Sequence, residues 1–371
     1  MPPSTLLKHA TFYHCRRSLS SASLSSLRNE LTTRRLPLAY DYLTPQQSHL
    51  LNLSLSGFIS PPPHPSTSNN ATTLPSTHRN PPLMPPGHHL VYFPPQIPSS
   101  HLLPDGTDTL HYPGPPFNRR LWAGGYVRFY GGKGAGGSGP LRLNGQRAVC
   151  LEGIRDVTIK GREGEEKVFV AVERRVAAVE EGEQEEEVRR RVWTEDEKEA
   201  GDAVVVERRD LVFLRDREIE GVDEGGRRIV KPPSSPTLAH SLTPTRSLLF
   251  RFSALTFNAH AIHLDRTYAR NIEGYPDLLV HGPLTLTLML TVLQNHLSSI
   301  SGGQAMIAGI EYRNLAPLVV ERVMRICAKP KGKNGDGDVA GVGAEAWEIW
   351  VEGTDGGLAV RGTVYVQWSE G

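Results

Sequence analysis

Three polar side chains with proton-transfer or hydrogen-bonding chemistry stand close together in the run TFNAHAIHLD: Asn258, His260 and His263. A fourth, His281, stands directly before Gly282-Pro283 and a long apolar run, LTLTLMLTVLQNHL. An imidazole near its ordinary pKa gives or takes a proton near neutral pH, so either His260 or His263 can serve as a general acid or base. An amide cannot act as a base, but Asn258 can donate and accept hydrogen bonds and so orient a water or hydroxyl. If a helix starts at Gly282, its first N–H and the positive end of its dipole can receive an oxygen that gains negative charge. Glycine permits that close approach.

These residues need elements to hold them. The stretch Leu248–Gly282 is expected to open as a strand (LLFRFSALTF) and cross a short polar turn before the helix Leu284–Leu297, whose apolar face is core. Asp265 is expected to cap a short helix or form a salt bridge. Four strands are then predicted: Ala305–Leu315, Val319–Lys329, Ala346–Glu352 and Leu358–Val366, with KGKNGDGDVAGVGAE as a flexible turn. One long helix followed by an antiparallel meander fits an α+β sheet wrapped around a central helix. The first half offers a short helix within Asp41–Leu55, with Thr44 as its cap and Pro45 at its first position. It offers strands at Leu141–Leu143, Val149–Lys160, Lys167–Arg175 and Val204–Leu214. Alternation in VFVAVERRV and VVVERRDLVFL makes these half-buried and antiparallel. The half has no comparably long helix, so it reads as a degenerate copy of the second.

The connections are distinctive. Residues 58–90 are rich in Pro, Ser, Thr and Asn and are expected to loop out. Residues 90–130 interleave aromatics with prolines, and Pro104-Asp105-Gly106 marks a turn. Arg119 and Arg120 either meet an anionic carrier or nucleotide phosphate, or are simply ion-paired. Trp122-Ala-Gly-Gly125 suits a narrow groove. The charge block 180–202 reads as a solvated insertion, and 221–241, which shows no periodicity, as the linker to a second domain starting near Leu242.

The chain has 371 residues and a formal charge of +1, which suits two domains with real cores and argues against a dedicated nucleic-acid binder. Cys15, Cys150 and Cys327 are scattered, which excludes a disulfide framework or a cysteine metal site and suits a reducing interior. No apolar run is long enough to cross a bilayer. Residues 1–35 are Arg- and Ser-rich with a single acid, Glu30, the composition of a mitochondrial presequence; a disordered basic tail is the alternative.

The run SALTFNAHAIHLDRTYA, with GYPDLLVHGPL downstream, resembles the MaoC-type hydratase/dehydratase family. That family carries a D-x-N-x-x-H pattern, and Asn258, His260 and His263 stand at its offsets. The form is similar to fungal mitochondrial 3-hydroxyacyl-thioester dehydratases of type 2 and to mesaconyl-CoA hydratases. The DYLTP opening, PDG and RRLWAGG resemble the N-terminal half of the same proteins, so the resemblance runs over roughly residues 40–371.

The resemblance implies a double hotdog fold: a degenerate N-terminal domain over 40–220 and a catalytic domain over 242–371. It implies His263 as the main acid/base group, Asn258 where the family keeps an aspartate, and Gly282 at the thioester oxygen. His260 is a second group or a structural hydrogen bond. Tyr275, Val280 and His281, with Arg119, Arg120 and Trp122, are placed around the substrate.

The activity implied is (3R)-hydroxyacyl-thioester dehydration in mitochondrial type II fatty-acid synthesis, on substrate carried by acyl carrier protein in the matrix. Hydration of a branched or dicarboxylic acyl-CoA is the alternative. A thioesterase lacks its acid at Asn258, and a non-catalytic acyl-binding subunit is the non-enzyme reading. No metal or redox cofactor is implied. The expected assembly is a monomer or a homodimer of double hotdogs.

Overall fold

The computed structural model describes residues 21–59, 73–130, 141–216, 229–331 and 345–368. The helix α1 (Ser21–Thr32) leads into β1 (Ala39–Tyr42) and α2 (Pro45–Leu55). The N-terminal half continues with β2 (Arg119–Phe129), β3 (Arg147–Lys160), β4 (Lys167–Ala178), α3 (Glu185–Val192) and β5 (Val205–Leu214). The C-terminal half has β6 (Leu238–Leu242), α4 (Arg246–Thr256), α5 (Arg266–Asn271) and α6 (Gly282–Ser301). It ends with β7 (Ala305–Asn314), β8 (Met324–Pro330), β9 (Glu345–Glu352) and β10 (Leu358–Trp368).

Among the described residues these strands form one ten-stranded antiparallel sheet in the order β1-β3-β4-β5-β2-β7-β10-β9-β8-β6. Each half contributes five strands, and the halves join where β2 pairs with β7, Gly124 opposite Arg313 and Arg128 opposite Gly309. The C-terminal strands wrap α6, whose Leu284, Leu286, Leu288, Leu290 and Leu293 are buried. This is the double hotdog expected from the sequence. No helix in the described part of the N-terminal half matches α6 in length; α2 and a 3-10 turn at His88–Val91 stand in its place.

Several expectations are corrected. The run expected as a strand at Leu248–Phe257 is helical through Thr256 instead. Thr245 caps it by accepting the Leu248 N–H at 3.2 Å, and burial at Leu248, Leu249 and Phe252 follows a helical period. Phe250, two residues from Phe252, is 64% exposed, so the apparent alternation is not a sheet pattern. Leu141–Leu143 forms only an isolated bridge from Arg142 to Leu83. Arg119–Phe129 is a full strand despite its glycines, which the tight pairing at Gly124 and Gly125 requires. The linker 221–241 falls partly outside the described residues, and its end pairs with β8 as β6. Residues 60–72 of the expected loop, and 1–20 of the basic segment, also lie outside. Leu31 in α1 is fully buried beside Phe117 and Val157, so the end of that segment belongs to the fold.

The charge block is also not a solvated insertion. Val188 and Val192 of α3 are buried against β3, β4 and β5 residues. Beneath it lies a buried ion cluster: Arg175 Nε donates to Glu173 at 2.5 Å, and Arg155 Nη2 donates to the same carboxylate at 2.7 Å. Arg175 Nη1 also donates to the carbonyls of Val192 and Ala200, at 3.2 and 3.1 Å. Removing one partner of such a cluster leaves an uncompensated buried charge. Glu173→Ala, which takes the shared carboxylate from both Arg155 and Arg175, should therefore lower the free energy of unfolding by about 3–5 kcal/mol, measured by urea denaturation.

Candidate active site

The site begins where α4 ends. Phe257 adopts a left-handed conformation (φ 52°), which reverses the chain and presents Asn258. Asn258 Oδ1 accepts the His260 N–H at 3.0 Å, and this turn feeds a single 3-10 turn at Ala261–His263. The side-chain carbonyl of Asn258 is thus used internally, and the residue lines a cavity. Asp265 then caps α5 by accepting the N–H groups of Thr267 and Tyr268.

His263 is 7% exposed. Its Nδ1 lies 2.8 Å from the Leu279 carbonyl oxygen. A carbonyl can only accept, so Nδ1 carries the proton and Nε2 the lone pair. The His263 ring stacks on His281 with centroids 3.7 Å apart, and His281 Nε2 is 2.8 Å from Ser253 Oγ. His260 meets His263 edge-on at 5.5 Å. Burial pushes the pKa of His263 down to about 4, partly offset by the Leu279 carbonyl, and Arg120 lowers it further. Burial, then His263, holds His260 and His281 well below the ordinary value. Burial thus favours the neutral form of all three rings, and His263 presents a lone pair at Nε2.

Gly282 opens α6, with His281 at the cap position. First-turn N–H groups have no partner within the helix. A side chain at Gly282 would press on Asn314 and Trp122, 3.3 and 3.4 Å away. Asn314 Nδ2 donates to the Trp122 carbonyl at 2.9 Å and ties this corner across the two halves. Asn258, His260, His263, Gly282 and Trp122 all line one cavity of roughly 1030 Å³, as do Tyr275, Val280 and Arg120.

A neutral imidazole, an amide side chain and a helix N-terminus thus surround one cavity. The family model for hydroxyacyl-thioester dehydratase type 2 matches residues 87–320. The chain belongs to that family. It is therefore a hydro-lyase. The mesaconyl-C(4)-CoA hydratase of Chloroflexus aurantiacus is 32% identical over 283 residues, which cover 76% of this chain and 83% of that protein. The mitochondrial hydroxyacyl-thioester dehydratase type 2 of Schizosaccharomyces pombe is 29% identical over 255 residues, 67% of this chain and 78% of that one. A MaoC-like dehydratase from Phytophthora capsici superposes with a TM-score of 0.57 at 10% identity, covering 92% of this chain and 99% of that one, which shows the shared fold.

Two residues placed around the substrate from sequence stand elsewhere. Arg119 is buried in an ion pair, its Nε donating to Glu273 at 2.7 Å. His281 is fully buried behind His263 and supports that ring instead of lining the cavity. Arg120 lines the cavity but is paired with Asp108 at 3.0 Å.

The sequence reading also missed Asp105, treated there only as a turn residue. Its carboxylate lies 3.5 Å from His260 Nε2. Proximity across about 150 residues leaves no periodic signal; the only clue was an acid in a turn that a glycine lets approach closely.

Burial lowers two more histidines, His88 to about 3 and His89 to about 4. Each of these five rings is neutral when folded and takes up a proton when unfolded below about pH 6.5. Their stabilising effect is complete above the unfolded pKa and is lost as pH falls from there toward the folded values. Each adds a slope of up to about 1.4 kcal/mol per pH unit. Thermal melts at decreasing pH should show the melting temperature falling steeply below about pH 6.5, with uptake of several protons on unfolding.

Proposed function

We propose that this protein dehydrates (3R)-3-hydroxyacyl thioesters to trans-2-enoyl thioesters, and that it does so in mitochondrial type II fatty-acid synthesis on substrates carried by acyl carrier protein. The observation that carries the chemistry is His263, fixed as a neutral base by the Leu279 carbonyl beside Gly282. In this reading His263 Nε2 takes the C2 proton. Charge develops on the thioester oxygen and is met by the Gly282 N–H and the dipole of α6. Asn258 donates its free amide hydrogen to the C3 hydroxyl oxygen. The C–O bond then breaks, the electron pair left at C2 forms the double bond, and the leaving hydroxide takes the proton from His263 as water. One histidine can thus serve both halves of the step, and an amide at position 258 is no obstacle.

The Arg- and Ser-rich start of the chain and the mitochondrial yeast relatives support the location. Matrix placement and the carrier protein belong to the same proposal.

A second reading, hydration of a dicarboxylic or otherwise polar acyl-CoA, is favoured by the cavity wall in the N-terminal half. Glu152, Arg174 and Glu207 lie directly across β3, β4 and β5 from one another. Arg174 Nε is 2.5 Å from Glu152, and Arg209 Nε is 2.8 Å from Glu207. Burial would raise the Glu152 carboxyl, but Arg174 and His111 outweigh it and keep it charged. Glu152, Arg174 and Arg209 face the cavity beside apolar residues such as Leu90 and Phe93. A polar acyl end suits these charges better than a bare alkyl end does.

A substrate panel tests both readings: crotonyl-CoA, longer 2-enoyl thioesters and mesaconyl-CoA, assayed with the purified protein. Turnover that rises with alkyl length supports the fatty-acid reading, and preference for mesaconyl-CoA replaces it with the second. His263→Ala should cost about 10²–10⁴-fold in kcat on the preferred substrate, with the melting temperature as control. A fluorescent fusion lacking the first 20 residues should fail to enter mitochondria; unchanged import removes the presequence.

A further inference from the structure

The turn carrying Asp105 is docked on the catalytic segment by its backbone. The Asp105 carbonyl accepts the Ala261 N–H at 2.8 Å. Gly106, at φ +80°, lies so close to the Ala259 carbonyl that a Cβ there would collide with it. Inside the turn, Asp105 Oδ1 accepts both the N–H and the hydroxyl of Thr107, at 2.9 and 2.7 Å. Oδ2 is different. It is buried, has no hydrogen-bond partner and faces His260 Nε2, which is also buried and unpartnered, across 3.5 Å. Two complementary groups are thus held just beyond bonding distance. Buried polar atoms left so are costly. Catalytic hydrogen bonds are often long before substrate binds and tighten in the complex.

We propose that Asp105 is a positioning residue that holds His260 as the Nε2–H tautomer, so that His260 Nδ1 accepts the hydrogen bond of the substrate's C3 hydroxyl. The proposal rests on the dehydratase reading above. Carboxylates at neutral pH only accept, so Oδ2 requires a proton on Nε2 and leaves the lone pair on Nδ1. His260 lines the cavity while its Nε2 is buried, so Nδ1 is the nitrogen left for a ligand. With the hydroxyl hydrogen on Nδ1 and the Asn258 amide donating to the oxygen, one oxygen lone pair is aimed for the proton that His263 returns. No proton is gained or lost by His260 in this role. The groups around its ring agree with that: His263 meets it edge-on, and Arg120 opposes a positive charge there. The acid that the wider family keeps in the motif itself is here supplied from the N-terminal half, acting through a histidine.

Asp105→Asn tests this without removing any volume. The two Thr107 donors hold the amide oxygen where Oδ1 was, so the NH2 group must face His260. It then donates to Nε2 and forces the proton onto Nδ1, putting a donor where the hydroxyl needs an acceptor. In protein labelled with 15N-histidine, His260 should be protonated at Nε2 in the native chain and at Nδ1 in Asp105→Asn. With crotonyl-CoA, kcat should fall roughly 100-fold with KM little changed. In a His260→Ala background, Asp105→Asn should add no further loss. Asp105→Ala, which imposes neither tautomer, should lose less activity than Asp105→Asn.

The proposal is overturned if His260 carries its proton on Nδ1 in the native protein, if Asp105→Asn leaves the tautomer unchanged, or if the two substitutions are additive in kcat. The tautomer measurement needs no substrate. Inactivity toward hydroxyacyl and enoyl thioesters would therefore sink the functional reading while leaving the Asp105–His260 relation separately decided.

Discussion

The pairing of β2 with β7 is the constraint on which the other features depend. It fuses two five-stranded sheets into one and sets the N-terminal wall against the start of α6. Gly124 and Gly125 are at the seam because the backbones of Tyr312 and Arg208 leave no room for a Cβ. From this seam Trp122 reaches Gly282, Asn314 locks to the Trp122 carbonyl, and Arg119 crosses to Glu273. Each of these contacts joins the two halves. The cavity exists because the seam is tight and the layer above it is incomplete.

That incompleteness comes from an unequal division between the halves. The C-terminal sheet is covered by α6, whose buried leucines belong to the same core cluster as the strands. The N-terminal sheet has no equivalent filling among the described residues, and its concave face instead carries paired charges in mid-strand. Such pairs are costly to bury and persist only when each charge is matched. Here Glu152, Arg174 and Glu207 match one another across adjacent strands, and Arg209 pairs with Glu207 along β5. The same wall therefore gives up hydrophobic stabilisation and gains a polar surface beside the cavity.

Much of this was legible in the sequence. The strands β3, β4, β5, β7, β9 and β10 and the helix α6 followed from alternation and from one long apolar run. The cluster of Asn258, His260, His263 and Gly282 could be read because its members are neighbours in the chain and match a known pattern. The failures have physical causes. Leu248–Phe257 has enough alternating apolar residues to imitate a strand, and only its cap and its buried face show the helix. The run 180–202 looks solvated because its charges are dense, yet Val188 and Val192 are what anchor it. Asp105 joins the site through a fold-back of the chain, and no local pattern encodes such a meeting.

The continuous sheet has one more consequence. A site built from two separate subunits dissolves when the protein is diluted below the affinity of the interface. Here both walls belong to one polypeptide, so the effective concentration of one half at the other is set by the tether and not by the cell. The arrangement also frees the halves from symmetry. A twofold dimer must repeat every substitution on both sides of its interface, whereas a single chain can keep a helix in one half and place a charged wall in the other.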